Sequence, residues 1–206
     1  MNPGIRYLFD YLLDKEGEEI LTEIRIHGRG GQGAVALSEM IALAAMYDKK
    51  FCRSFPFYGA ARRGAPLVAF SMIGDRDEMT RSRVYQPDIV IVLDPELPKA
   101  VNVVEGLKGD GVVIQNTRRP VEEAAAVFKT RPAKIATVDA TSIAMKTLKR
   151  TIPNTTMLGA FSRVTGHVTL QSSLKAIEKR FSGALAEMNK EAAKIGYGEV
   201  KVSEVW

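Results

Sequence analysis

The sequence predicts a three-layer α/β/α protein, in which helices cover both faces of a mostly parallel β-sheet. Short strand-like runs alternate with helical segments along most of the chain, as in successive βαβ units. The run at residues 89–93 is continuously apolar, which is typical of a strand buried on both faces of a parallel sheet. A glycine-rich loop also joins the first strand to an Ala-rich helix. Together these features favour the α/β class.

We predict a helical extension at residues 1–22, followed by a single α/β domain at residues 23–206. The first strand is expected at residues 23–27. The helix after the glycine loop has apolar residues at helical spacing and ends at Asp48. A second strand is expected at residues 51–54. Residues 55–66 are too rich in Gly and Pro for a regular element and too aromatic for an idle loop, so we predict an ordered functional loop.

In the second half, alternating and continuous apolar runs predict four further strands, at residues 67–73, 89–93, 112–115 and 134–138. Helices are expected between and after them, from Asp94 toward Gly106, at residues 120–128 and at residues 141–149. From residue 152 onward the whole chain is expected to be helical, with breaks at Gly166 and Gly183 and helices at 156–164, 171–181 and 184–195.

Composition excludes several classes of function. With 206 residues, 46% of them apolar, the chain fits one well-filled core. It has no run of about 18 apolar residues and no signal-peptide pattern, so we expect a cytoplasmic protein without membrane contact. Its single cysteine, Cys52, excludes an internal disulfide or a Cys-ligated cluster held by this chain alone. The net charge of +5 comes with an excess of arginines near the glycine loop, which favours an anionic ligand or partner. No nucleic-acid-reading module accompanies them, so nucleic acid is not expected.

The Rossmann-like glycine loop at residues 28–33 is the strongest local signal. Gly28, Gly30 and Gly33 have the spacing of the dinucleotide fingerprint, and a helix start offers N–H groups and a positive dipole end to an anion. That fingerprint expects an acid about 20 residues further on. Here the second strand ends in Arg53 and Ser54, and an arginine suits a ribose phosphate. Three interpretations stay open: a nucleotide-like cofactor such as NADP, another anion, or packing only.

Other motifs are weaker. Gly109-Asp110-Gly111 with Asn116 resembles a thiamine-diphosphate motif, but the gap is too short to hold a helix, so we interpret it as a turn. His27 and His167 lack the spacing of a metal site and are expected to be structural. We therefore predict no catalytic or metal-ligating residue in this chain.

Several separated motifs follow one another along residues 22–200. They are residues 26–34, Phe55-Pro56 with Tyr58-Gly59, Arg62-Arg63-Gly64-Ala65-Pro66, Arg81-Ser82, Pro87-Asp88, Ile152-Pro153-Asn154-Thr155, Met157-Leu158-Gly159-Ala160 and Val164-Thr165-Gly166. In this order they closely resemble the gamma subunit of 2-oxoacid:ferredoxin oxidoreductases, the pyruvate and ketoisovalerate group.

The resemblance implies a multisubunit enzyme that oxidatively decarboxylates a 2-oxo acid to its acyl-CoA and passes electrons to ferredoxin or a similar acceptor. Thiamine diphosphate, Mg²⁺ and [4Fe-4S] clusters would belong to alpha, beta and delta-type partner subunits, and the isolated chain would be inactive. This chain would close the partner active site and help to hold coenzyme A. The residues expected to do so are Gly28, Arg29, Gly30, Gly31, Gln32, Gly33, Tyr58, Arg62 and Arg63.

The sequence departs from the family pattern at Phe57 and Ala61, where relatives often carry acidic residues. This departure favours a more apolar or aromatic 2-oxo acid. Two alternatives remain. One is an NADP-binding Rossmann-type oxidoreductase, and the other is a purely structural subunit without ligand contact.

Overall fold

The computed structural model describes residues 21–57, 65–76, 83–130 and 132–204. The predicted N-terminal extension lies outside these residues except at its end. There, Leu21 and Thr22 already belong to the first strand, which begins two residues earlier than predicted. These two residues extend the first strand because they pair with Gly74 and Ile73 of its neighbour.

Seven strands of the described residues form one mixed sheet. They are β1 Leu21–Arg29, β2 Phe51–Phe57, β3 Pro66–Gly74, β4 Ile89–Val92, β5 Val112–Asn116, β6 Lys134–Val138 and β7 Lys201–Glu204. Their order in the sheet is β2-β3-β1-β4-β5-β6-β7. Adjacent strands β1, β4, β5 and β6 are parallel, whereas β3 and β7 run against their neighbours. The α/β class is therefore confirmed.

Helices cover both faces of this sheet. They are α1 Ala34–Tyr47, α2 Leu97–Ala100, α3 Val121–Ala125, α4 Ala140–Leu148, α5 Asn154–Thr165, α6 Leu170–Arg180 and α7 Gly183–Glu199. No helix in these described ranges combines the length and the apolar character that crossing a membrane requires.

Strand β4 shows how the three layers arise. Ile89 and Ile91 belong to a large apolar cluster with α1 and α4 to α7, whereas Val90 and Val92 belong to a second cluster with α2 and α3. All four side chains are buried, because successive residues of a strand point to opposite faces and both faces are covered. The continuous apolar run that predicted a buried parallel strand therefore has the expected cause.

The predicted functional loop at residues 55–66 is partly wrong. Strand β2 continues through Phe57 and β3 begins at Pro66, so the ends of this segment belong to an antiparallel pair of strands. The ring centroids of Phe55 and its register partner Phe70 lie 5.3 Å apart. Cross-strand aromatic pairs of this kind stabilise a ladder, which explains why the strand extends past Ser54.

The predicted helix from Asp94 toward Gly106 is also wrong, because α2 has only four residues. Arg25 donates to the backbone oxygens of Val103 and Glu105, at 3.1 Å and 2.5 Å. Val103 and Val104 are buried in the second cluster. The helix ends because the backbone of Val101 is extended, with φ −137° and ψ 150°.

Three smaller differences complete the fold. Helix α3 ends at Ala125 instead of Phe128, and Phe128 packs into the second cluster from outside the helix. Helix α5 begins at Asn154, two residues earlier than predicted. Residues Lys201–Glu204, expected to continue a helical region, form β7 because they pair with β6 at the edge of the sheet.

Candidate functional site

The glycine loop lies at the carboxyl end of β1, where β1 separates antiparallel β3 from parallel β4. In open α/β sheets, ligands bind at this edge, where the connections leave toward opposite sides. Gly31 and Gly33 have φ angles of +99° and +83°, which L side chains rarely adopt. Gly33 is also the N-cap of α1, and it offers no side chain to the first helical turn. The loop therefore presents the positive end of a 14-residue helix.

Three amides of the loop already have partners within the chain. Arg29 N donates to Gln32 Oε1 at 2.7 Å, and Gln32 N donates back to the Arg29 carbonyl at 3.0 Å. Gly30 N donates to the Ala65 carbonyl at 3.2 Å. These three amides are therefore not available to an anion, so the loop offers fewer amides to a ligand than the sequence led us to expect. The first turn of α1, whose N–H groups have no acceptor within the helix, becomes the candidate donor set.

The side chains of Arg29 and Gln32 turn toward Asp94, which follows β4. Asp94 Oδ2 accepts from Arg29 Nε at 3.1 Å and from Gln32 Nε2 at 2.9 Å. The Asp94 side chain is only 13% exposed. Arg29 and Gln32 thus tie the loop to the neighbouring strand, and the sequence analysis did not single out Asp94. Asp94 could have been found from its position, because it follows a buried strand that ends at the same edge of the sheet as β1.

A cavity of about 500 Å³ opens at the start of α1. One wall is the loop and first turn, and a second wall comes from the segment before α5 and from the start of α7. Apolar side chains and polar groups share the lining, which consists of Gly31, Gly33, Ala34, Val35, Ala36, Glu39, Leu67, Leu148, Arg150, Ile152, Asn154, Arg180, Phe181, Leu185 and Asn189.

Asn154 brings a polar group to this cavity beside the loop. The residue is 5% exposed, and its Oδ1 accepts from the backbone N–H of Thr155 at 2.8 Å. Its Nδ2 lies 2.6 Å from the position that a Cβ on Gly33 would occupy. Gly33 is therefore required for two reasons, its positive φ and the close approach of Asn154. The side-chain NH₂ is a donor at the same place as the uncapped helix start.

Two arginines line the same cavity. Arg150 is exposed at its rim, and Arg180 forms an ion pair with Glu39 on α1. Both lie far from the glycine loop in sequence, so only the packing of the C-terminal helices on α1 brings them to it. The sequence analysis missed Arg150 and gave Asn154 only as part of a family motif.

The remaining predicted site residues fall into two groups. Gly28 serves close packing, since a Cβ there would lie 3.3 Å from Leu93 Cδ1. Tyr58, Arg62 and Arg63 lie outside the described residues. The segment that carries them ends at Ala65, which accepts the hydrogen bond from Gly30.

His27, near the end of β1, is part of a buried polar cluster on the face of the sheet opposite the cavity. Arg25 Nε donates to His27 Nε2 at 3.0 Å. Burial and the neighbouring Arg25 charge lower the pKa of His27 to about 3, although a backbone hydrogen bond to Val103 acts in the opposite direction. His27 is therefore neutral at physiological pH and supports the Arg25 side chain. No group of three or more potential metal ligands occurs among the residues described.

The strand order bears on the NADP alternative. In a dinucleotide-binding sheet the second strand lies beside the first, so that its end reaches the ribose. Here β3 lies between β1 and β2. The end of β2 is thus displaced from the glycine loop. The comparison with a Rossmann dinucleotide site therefore no longer supports NADP binding.

Comparison with known proteins agrees with this fold. A family profile described as pyruvate ferredoxin/flavodoxin oxidoreductase matches residues 23–199. The pyruvate/ketoisovalerate oxidoreductases common subunit gamma of Pyrococcus abyssi is 45% identical over 90% of this chain and 100% of its own. Pyruvate synthase subunit PorC of Methanothermobacter marburgensis is 49% identical over 89% of this chain and 99% of its own. A crystal structure of pyruvate oxidoreductase subunit PORC from Thermotoga maritima superimposes with a TM-score of 0.79 at 46% identity, covering 89% and 99% of the two chains.

These matches define the class as an α/β subunit of a multisubunit oxidoreductase. The chain belongs to the pyruvate ferredoxin/flavodoxin oxidoreductase family, as a gamma subunit of its 2-oxoacid oxidoreductases. The resemblance inferred from the ordered motifs is confirmed.

Proposed function

We propose that this gamma subunit positions coenzyme A, holds one of its phosphates at the start of α1, and closes the active site of the partner subunits. The complex would convert pyruvate, a branched-chain or an aromatic 2-oxo acid to its acyl-CoA, with ferredoxin or a similar protein as electron acceptor. The observation that carries the proposal is the meeting of an uncapped helix start with the side-chain amide of Asn154.

Electrostatics supports an anionic ligand at this place. The N-terminus of a helix carries about half a positive charge and several N–H groups that lack acceptors. Asn154 Nδ2 adds a donor beside these N–H groups, and Arg150 adds a positive charge at the rim. Coenzyme A carries several phosphates, and phosphates bind well at helix N-termini.

The shape of the cavity supports a ligand that is only partly polar. Its volume of about 500 Å³ lies in the usual range for small-molecule sites. Leu148, Ile152 and Phe181 line it together with the polar groups. Coenzyme A has the same division, because its phosphates are joined to less polar pantetheine and adenine portions.

The contribution of this chain would be binding and orientation. Thiamine diphosphate with Mg²⁺ on the partner subunits would stabilise the carbanion, and [4Fe-4S] clusters on the partner subunits would carry electrons. Residues of this chain would hold coenzyme A in place and exclude water from the active site. Tyr58, Arg62 and Arg63 remain candidates for further contacts, because their segment ends beside Gly30.

Asn154→Asp in the intact complex tests the proposal. The substitution keeps the oxygen that binds Thr155 N, but it replaces the NH₂ donor by a negative oxygen. We expect the dissociation constant of coenzyme A, measured by titration calorimetry, to rise at least about tenfold, since hydrogen bonds to charged groups contribute about 1.5–3 kcal/mol.

Pantetheine, which has no phosphate, is the matched control ligand. Its affinity should change little, as should coenzyme-A-independent decarboxylation of the 2-oxo acid. Equal affinity of the variant and the parent complex for coenzyme A would instead favour the purely structural subunit.

A further inference from the structure

We propose that Asp94 is a positioning residue for the coenzyme A site, which it orders through Gln32 and Arg29 without touching the ligand. This inference rests on the proposed function. It assigns a role to a residue that follows β4, whereas the glycine loop follows β1.

The contacts form a closed arrangement. Gln32 Oε1 accepts from Arg29 N at 2.7 Å, and Gln32 Nε2 donates to Asp94 Oδ2 at 2.9 Å. Arg29 Nε donates to the same carboxylate oxygen at 3.1 Å. One side-chain amide thus closes the turn of the loop and also binds it to the end of β4.

Asp94 is itself held firmly. Its Oδ1 accepts from the backbone N–H of Glu96 at 3.0 Å. The preceding residue, Leu93, donates its N–H to the His27 carbonyl at 2.8 Å and continues the pairing of β4 with β1. The carboxylate is therefore a fixed point of the sheet edge.

The loop needs such a fixed point because of its glycines. Gly31 and Gly33 adopt positive φ angles, and glycines lose more conformational freedom on ordering than other residues. Gly33 leads directly into α1, so the orientation of the loop at Gln32 decides where the first helical N–H groups point. Ordering this turn before the ligand arrives lowers the entropic cost of binding.

Charge disfavours a direct contact between Asp94 and a phosphate of the ligand. A carboxylate repels a phosphate, and the negative charge of Asp94 is balanced by Arg29. A charge effect and a positioning effect of Asp94 therefore predict opposite changes in coenzyme A affinity. If charge alone mattered, Asp94→Asn would remove a negative charge near the site and tighten coenzyme A binding. If positioning matters, the same substitution weakens binding.

The experiment uses the intact complex with three variants, Asp94→Asn, Gln32→Glu and the two combined. We expect Asp94→Asn and Gln32→Glu each to raise the KM for coenzyme A by about three- to tenfold with kcat nearly unchanged. In the double variant, the new amide at position 94 donates to the new carboxylate at position 32, which also becomes the acceptor for Arg29 Nε, and the net charge equals that of the parent. Its KM should therefore return to within about twofold of the parent value.

Asp88→Asn is the matched control. Asp88 precedes β4 at the opposite edge of the sheet, and it likewise accepts from a backbone N–H, that of Glu23 at 2.7 Å, and from a cation, Lys108 at 2.8 Å. This substitution should leave the KM for coenzyme A unchanged. Hydrogen exchange of this subunit within the intact complex supplies a second readout: Asp94→Asn should speed exchange at residues 31–36, and Asp88→Asn should not.

Two results would overturn the inference. One is unchanged or tighter coenzyme A binding by Asp94→Asn, and the other is a double variant no better than Gln32→Glu alone. If Asn154→Asp still weakens coenzyme A binding in that case, the proposed function stands and only the role of Asp94 fails. If Asn154→Asp is also without effect, the proposed function itself is wrong.

Discussion

Gly33→Ala combines backbone strain with displacement of a polar group, and the structure separates these two effects. At φ +83° an alanine is strained by about 1–2 kcal/mol. In a chain of 206 residues, 1 kcal/mol shifts Tm by about 2–4 °C, so strain alone should lower Tm by roughly 2–8 °C. The new Cβ would also lie 2.6 Å from Asn154 Nδ2 and 2.9 Å from Asn154 Cγ, which forces that side chain out of place.

Displacing Asn154 should reduce coenzyme A affinity. Loss of one hydrogen bond to a phosphate, at about 1.5–3 kcal/mol, corresponds to roughly a tenfold to hundredfold higher dissociation constant. The measurement pairs thermal unfolding of the chain with titration of coenzyme A into the complex.

Gly166→Ala is the matched control for Gly33→Ala. Gly166 has φ +66° at the end of α5, and a Cβ there meets no atom within 4 Å. It should therefore lower Tm by strain alone and leave coenzyme A affinity unchanged. The reasoning is refuted if Gly33→Ala and Gly166→Ala lower Tm equally and neither changes the affinity.

Three further predictions concern stability. Because the pKa of His27 falls to about 3 in the folded chain from an ordinary 6.5, the unfolded chain takes up a proton first as pH falls. The free energy of unfolding should drop by up to about 2 kcal/mol between pH 6.5 and 5, and denaturant titrations of His27→Gln should show a shallower drop. Gly159→Ala would place a Cβ 1.9 Å from the Ala193 carbonyl oxygen, so separation of α5 from α7 should lower Tm by at least about 6 °C; a smaller loss would contradict the close packing. Gly198→Ala in α7 meets no atom within 4 Å and should instead stabilise the chain by about 0.5–1 kcal/mol in the same assay.

The α/β class and most element positions could be predicted from the sequence because their signals are local. Strands β4, β5 and β6 follow from short apolar runs, and α1 follows from a glycine loop and helical spacing. The breaks at Gly166 and Gly183 are also found, since both glycines adopt positive φ at helix ends. Each of these features depends on residues within about ten positions of one another.

Only the tertiary structure decided the partners of each element. The extension of β2 through Phe57, the short α2 and strand β7 all depend on residues distant in sequence: Phe55 pairs with Phe70, Arg25 binds carbonyls near residue 104, and β7 pairs with β6. No local pattern encodes such contacts, because a backbone group takes whichever acceptor or donor the fold brings near it.

The candidate site divides in the same way. The glycine positions, and the anion preference of a helix that begins at such a loop, are properties of a short segment, so the sequence alone indicated them. The choice of donors required the fold, because the Gln32 side chain and the carbonyls of Arg29 and Ala65 accept from three of the loop amides. Asp94 and Asn154 reach the loop from other parts of the chain, where the order of the strands and the packing of α5 on α1 bring them.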